Sequence, residues 1–186
     1  MIDLLNHACK VHVVHSRISF LRRMLDLIHT VPAMQPFIQL NAGLWSDLAW
    51  WTAFITRWNG ISFLPPPSML PETTVTTDAS GSWGCGAWFG QQWFHLQWDS
   101  RSIPLPIAEK KLILIILACV AWGGDAWQGH QVLCQCDNQV VVACLRSRTS
   151  RDKKIMHLLR CLVFVEATHR CFIHPVYIDT TVRLII

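Results

Sequence analysis

The sequence predicts an α/β domain whose mixed sheet has helices on both faces, preceded by a small helical segment. Apolar residues recur at helical spacing in the first third of the chain. Four prolines then interrupt residues 64–71, and the later pattern changes to strand-like alternation followed by alternating helices and strands. We therefore divide the chain into a helical segment (residues 1–63), a proline-rich linker (64–71) and an α/β domain (72–186).

Two amphipathic helices are predicted before the linker. The first covers residues 18–28, where apolar side chains recur every three or four positions. The second begins near Ser46, a suitable N-cap, and ends at Asn59-Gly60. Its apolar face carries Leu48, Trp51, Ile55 and Trp58. This aromatic content predicts a helix that docks against another surface.

Three strands are predicted directly after the linker, at residues 73–78, 83–89 and 93–98. The turns that join them, at residues 80–82 and 90–91, are short enough for an antiparallel meander. Trp83, Trp88 and Trp93 lie at alternating positions, which favours places in the core over stacking on sugars or bases.

The remaining elements alternate between helix and strand. A long helix is predicted at residues 103–122, with prolines near its first turn and two glycines after its end. Strand 131–136, a short helix at 139–145 capped by Asn138, a helix at 152–167 and strand 171–176 follow. The longest apolar run, residues 112–122, is too short to span a bilayer, so no membrane partner is expected.

Composition limits the environment and the partners. Hydrophobic residues make up 52% of the chain and charged residues only 15%, so part of the surface is expected to be covered by a partner or by the rest of a longer protein. The net charge of +4 permits a polyanionic partner without requiring one. The eight cysteines lack the paired spacing of a zinc site and predict free thiols in an intracellular compartment, cytoplasmic or nuclear.

Three acids stand at positions suited to chemistry: Asp78, Glu109 and Asp137. Taken singly, they also suit a turn, a helix start and a helix cap. Glu109 is expected on the apolar, sheet-facing stripe of its helix, together with Ile113, Ile116, Leu117 and Val120, while Lys110 and Lys111 are expected to face water. Because Asp78 and Asp137 come at the ends of strands, the three acids are predicted to converge on a site for two divalent cations. No arrangement for a serine or cysteine nucleophile competes clearly, and no glycine-rich phosphate loop is present.

The segments TDASGSWGCGAW, AEKK and CDNQVVVACLRSRTSRDKKIMHLLR resemble the ribonuclease H domain of DIRS-type retrotransposons, the retroelements that carry a tyrosine recombinase. The segments HACKVHVVHSRISFLRRM and LWSDLAWWTAFITRWNGIS are similar to the region that links the polymerase thumb to that domain. The resemblance implies a ribonuclease H-like five-stranded sheet and hydrolysis of the RNA strand of RNA:DNA hybrids with Mg²⁺ or Mn²⁺. It also implies the polymerase part of a reverse transcriptase as a partner.

Carried over to this chain, the resemblance makes Asp78, Glu109 and Asp137 the catalytic, metal-binding acids. A fourth acid follows the last strand in the family, and by that register it would fall past residue 186, so we expect a domain truncated at its C-terminus. Asp179 is a weak substitute for it. The expected function is a ribonuclease H or, alternatively, a catalytically impaired relic that binds nucleic acid or protein.

A basic stretch follows the third acid. It contributes Arg146, Arg148, Arg151, Lys153 and Lys154, and it is predicted to contact the phosphates of a hybrid or of another nucleic acid. The alternative is a solvated helix start.

Overall fold

The computed structural model describes residues 23, 24, 26, 27, 29, 30, 37–57 and 73–179. The chain divides into two compact units, Met1–Leu64 and Pro65–Ile186. Most of the first predicted helix, the end of the second at Asn59-Gly60, and the linker at 64–71 lie outside the described residues. The position of the linker therefore stays a prediction.

The first unit contains helix α1, Ala42–Arg57. Its N-cap is Asn41, whose side-chain oxygen accepts a hydrogen bond from the Leu44 amide at 2.9 Å. The predicted cap at Ser46 was wrong, because the helix begins one turn earlier and Ser46 lies within it. Trp51 is buried, as predicted, and the buried carboxylate of Asp47 pairs with Arg23 at 3.5 Å.

The second unit is built on a five-stranded mixed sheet with the order β3-β2-β1-β4-β5. The strands are β1 (Thr73–Ala79), β2 (Gly84–Phe89), β3 (Gln92–Gln97), β4 (Gln131–Cys136) and β5 (Phe172–Tyr177). The first three pair antiparallel, whereas β4 is parallel to both β1 and β5. This confirms the α/β class and the ribonuclease H-like mixed sheet.

Three helices accompany the sheet: α2 (Ile107–Trp122), α3 (Gln139–Ser147) and α4 (Lys153–His169). Asn138 caps α3 as predicted, since its side chain accepts a hydrogen bond from the Val141 amide at 3.0 Å. Asp152 caps α4 by accepting from the amides of Lys154 and Ile155. Among the described residues, no helix is both long and apolar enough to cross a membrane.

Helix α2 buries a different face from the one that the sequence predicts. Its fully buried positions include Leu112, Ile115 and Cys119, whereas Val120 is 54% exposed. Lys110 and Lys111, expected to face water, are both buried. The predicted stripe was therefore wrong in register, although Glu109 itself is buried as expected.

The hairpin tryptophans also depart from the prediction. Trp83, Trp88 and Trp93 are exposed rather than core residues, at 83%, 44% and 68%. Trp88 and Trp93 are cross-strand partners on the outer face of β2 and β3, while Phe94 points inward and contacts Trp122. The three tryptophans line an open trough of about 830 Å³.

The seven cysteines within the described ranges are free thiols, and five of them are buried: Cys85, Cys119, Cys134, Cys136 and Cys171. They occupy the core as small apolar residues, in agreement with the prediction of free thiols.

Candidate active site

The site lies at the carboxyl ends of two neighbouring strands. Asp78 is the second-last residue of β1, and Asp137 directly follows β4. Because β1 and β4 are parallel and adjacent, their ends meet at one edge of the sheet. The structure thus brings two of the three predicted acids together.

A lysine joins these two acids. The Lys111 ammonium lies 3.3 Å from Asp78 Oδ1 and donates a short hydrogen bond to Asp137 Oδ1. The side chains of Lys111 and Asp137 are only 7% and 10% exposed, whereas that of Asp78 is 46% exposed. The charge between the strand ends is therefore two carboxylates and one ammonium, of which Lys111 and Asp137 are buried and Asp78 is half exposed.

Glu109 does not complete a three-acid cluster. It precedes Lys111 by two residues on α2, a rotation of about 200° around the helix axis. Within the described part of the chain, no group of three histidine, cysteine, aspartate or glutamate side chains is arranged to hold a metal ion. The position of α2 that faces both aspartates is occupied by Lys111.

These residues do not fit a resident Mg²⁺ or Mn²⁺ ion. Mg²⁺ takes oxygen ligands at about 2.0–2.1 Å, usually one or two carboxylates together with waters and substrate phosphates. Here the two carboxylates share an ammonium. Burial raises the pKa of the Cys136 thiol, which ends β4 beside Asp137, so this thiol adds no negative charge to the two carboxylates.

Asp179, the substitute for the fourth acid, lies two residues after β5 and is exposed. The Ile178 amide donates to the carbonyl of Cys136 at 3.1 Å, which places the end of β5 beside that of β4. Asp179 nevertheless forms no metal-binding group with the other acids of the described residues.

The basic stretch divides into exposed and buried members. Arg146, Arg151, Lys153 and Lys154 are exposed, at the end of α3 and the start of α4. Arg148 was predicted to contact phosphates, but it is buried and forms two hydrogen bonds to Glu166, at 2.8 and 2.9 Å. It also donates to the carbonyl of Ile173 at 2.9 Å. A guanidinium engaged in this way is not available to a nucleic acid.

The sequence did not predict the roles of two residues in this region, Lys111 and Glu166. Lys111 starts a stripe of 111, 115, 118 and 122, which is as apolar as the stripe that starts at Glu109. Glu166 lies near the end of α4, and burial raises its pKa although Arg148 offsets part of that rise. The only sequence feature that could have indicated Glu166 is that it is a single acidic residue on the apolar face of a helix.

Neither a protein-family model nor the sequence of a curated protein matches this chain. Three solved structures of foamy viral protease-reverse transcriptase are similar to it. The native enzyme of prototype foamy virus is 12% identical over 93% of this chain and 23% of its own length, with a TM-score of 0.38. The complex with RNA/DNA hybrid is 11% identical over 85% of this chain and 26% of that chain, with a TM-score of 0.43. The complex with dsDNA is 10% identical over 91% of this chain and 40% of that chain, with a TM-score of 0.39. The chain thus spans well under half the length of each of these proteins.

Proposed function

We propose that this chain is a retroelement-derived ribonuclease H-like domain that binds RNA:DNA hybrid, and that Mg²⁺-dependent hydrolysis by it is slow or absent. The observation that carries the binding is the cluster of exposed cations at the junction of α3 and α4, which consists of Arg146, Arg151, Lys153 and Lys154. The DIRS-type origin and the polymerase part of a reverse transcriptase as partner rest on the resemblance of the sequence segments.

The cation cluster suits phosphates for two reasons. The acid within it, Asp152, accepts hydrogen bonds from the first amides of α4, so its carboxylate is engaged with the helix end. Arg146 makes a long hydrogen bond of 3.5 Å to the carbonyl of Pro175, and it retains further donors for a ligand. Contacts between such cations and backbone phosphates supply most of the affinity that does not depend on nucleotide sequence.

Hydrolysis is the part of the expected function that the geometry does not support. Two-metal cleavage of a phosphodiester needs carboxylates that hold ions against the reacting phosphate. Asp78 and Asp137, the acids at the ends of β1 and β4, share the ammonium of Lys111. Binding without rapid turnover is therefore the function we propose.

The test measures binding of a short fluorescent RNA:DNA hybrid by anisotropy in EDTA. A variant with all four exposed cations changed to Gln is expected to bind at least about tenfold more weakly than the wild type at moderate salt. Arg101→Gln, which removes an exposed cation outside the cluster, serves as the control and should bind like the wild type. Equal binding by the wild type and the four-residue variant would refute this interface.

Cleavage is followed separately with the same hybrid in Mg²⁺. We expect little loss of intact RNA over hours with a stoichiometric amount of wild-type protein. Rapid cleavage that disappears in Asp137→Asn would contradict the proposal that turnover is lost.

A further inference from the structure

We propose that Lys111 is the resident cation of this site, so that the residue at position 111 decides whether Asp78 and Asp137 hold an internal ammonium or an external divalent ion. The inference rests on the proposed function for the identity of the site, and it is tested without nucleic acid. The proposal names the class of ligand that the two acids would otherwise bind, hard divalent cations, and the residue that excludes it, Lys111.

The first step is the position of the ammonium. Lys111 extends from the second turn of α2 to the ends of β1 and β4, where its nitrogen contacts one oxygen of each aspartate. A divalent ion bridging the same two oxygens would have to take this place. Two cations at this one place would repel each other, and the burial of Lys111 and Asp137 limits how far water screens that repulsion.

The pair formed by Lys111 and Asp137 is buried, whereas Asp78 is half exposed. Lys111 is 7% exposed and Asp137 is 10% exposed, so neither charge is well solvated. Buried charges persist when they are paired, and removing one partner leaves the other uncompensated. The ammonium therefore stabilises the metal-free fold, and a divalent ion must displace a satisfied group before it binds.

Replacing Lys111 by glutamate would change the groups that surround the position of the ammonium. A glutamate side chain is shorter than a lysine side chain by about one C–C bond, so a carboxylate at position 111 would stop short of the point where the ammonium now lies. That point would then have carboxylate oxygens and no ammonium around it, and hard divalent cations such as Mg²⁺ bind oxygen ligands of this kind. Glu109 forms no three-acid group with Asp78 and Asp137 in the described residues, and it lies about 200° from position 111 around the axis of α2.

Lys110 shows that a buried lysine on α2 does not by that fact alone neutralise the acids. Its side chain is also buried, but its ammonium donates to the carbonyl of Ile103 at 2.7 Å and to that of Gly81. It lies 5.7 Å from the centroid of the Trp98 ring and contacts no carboxylate in the described residues. Lys110 thus holds a loop, whereas Lys111 neutralises the acids.

The experiment compares thermal melting and calorimetric titration with MgCl₂ and MnCl₂ against NaCl of equal ionic strength. For the wild type we expect a change in Tm below about 1 °C, whereas Lys111→Glu should gain about 5 °C or more at saturating metal. Arg101→Glu carries the same change of charge at an exposed position outside both sites and should respond like the wild type. Equal metal responses of the wild type and Lys111→Glu would overturn the proposal.

Lys111→Gln covers the case in which the glutamate variant does not fold. It removes the positive charge while retaining a hydrogen-bond donor, and we expect a metal response smaller than that of Lys111→Glu but larger than that of the wild type. A wild type that binds Mg²⁺ at micromolar concentration would refute the proposal without any variant. Hybrid binding in EDTA reports on the proposed function alone, so failure of one proposal is distinguishable from failure of the other.

Discussion

Arg148 and Glu166 form an ion pair that is sealed inside the second unit, with both side chains 4% exposed. Glu166 also accepts the Ile173 amide at 2.8 Å, while Arg148 donates to the Ile173 carbonyl. The pair therefore joins the end of α3, helix α4 and strand β5. Arg148 adopts a left-handed backbone with φ of 53° as the C-cap of α3, a position where helices commonly end in this conformation.

Arg148→Met should lower the free energy of unfolding by about 3–5 kcal/mol, because it leaves the Glu166 carboxylate buried without its counter-charge. Urea denaturation measures the loss. Arg146→Met, at an exposed neighbour, is the control and should change stability by no more than about 0.5 kcal/mol. The double variant Arg148→Met with Glu166→Leu should recover part of the loss. Similar values for the Met variants at 146 and 148 would show that the pair is not the source of stability.

The buried thiol of Cys134 should make stability fall at alkaline pH. Burial raises the pKa of Cys134 from 9.0 to about 12. The unfolded chain therefore releases this proton first, so the stabilisation is complete below pH 9.0 and is lost as the pH rises towards 12. The slope contributed by one such group is at most about 1.4 kcal/mol per pH unit.

Urea midpoints measured from about pH 8 to about pH 10.5 test this expectation. Cys134→Ala should show a shallower decline than the wild type over that interval. Val132→Ala is the matched control, since Val132 is equally buried on β4 and does not titrate. It should be less stable at every pH with the slope of the wild type. An unchanged slope in Cys134→Ala would contradict the expectation.

At the scale of the element, helix α2 shows why Asp78 and Asp137 could be predicted from the sequence, whereas their partner on this helix, Lys111, could not. Its residues from 112 to 122 are apolar on every side, so periodicity cannot choose between the stripe of Glu109 and that of Lys111. Packing against β1, β2 and α4 makes the choice. Asp78 and Asp137, in contrast, follow from strand ends alone.

The hairpin β2–β3 depends on close backbone approach at Gly84. A Cβ atom there would lie 2.1 Å from the carbonyl oxygen of Leu96, which belongs to the paired strand and cannot move aside without breaking the ladder. Gly84→Ala should therefore destabilise the fold by about 2 kcal/mol or more. Gly81→Ala, where no atom lies within 4 Å of the added carbon, should be nearly neutral. Equal denaturation midpoints for the two variants would contradict this role of Gly84.

At the scale of the whole molecule, the five strands and the antiparallel sense of the first three could be predicted, because alternation and turn chemistry are local signals. Which face of the β2–β3 hairpin is buried could not be predicted. Both faces of β2 and β3 carry aromatic side chains, so burial depends on where α2 lies. The structure covers Phe94 and leaves Trp88 and Trp93 exposed.

The whole molecule carries a net charge of +4, and the salt dependence of hybrid binding should count how many of its cations contact phosphates. The logarithm of the binding constant falls with the logarithm of salt concentration by about 0.9 for each phosphate contact to a duplex. Lys153→Gln with Lys154→Gln should therefore reduce the magnitude of the slope by about 2, whereas Arg101→Gln should leave it unchanged. Anisotropy titrations between about 50 and 200 mM KCl measure both slopes. Weaker binding with an unchanged slope would mean that the two lysines act through the fold of α4 and not through phosphate contacts.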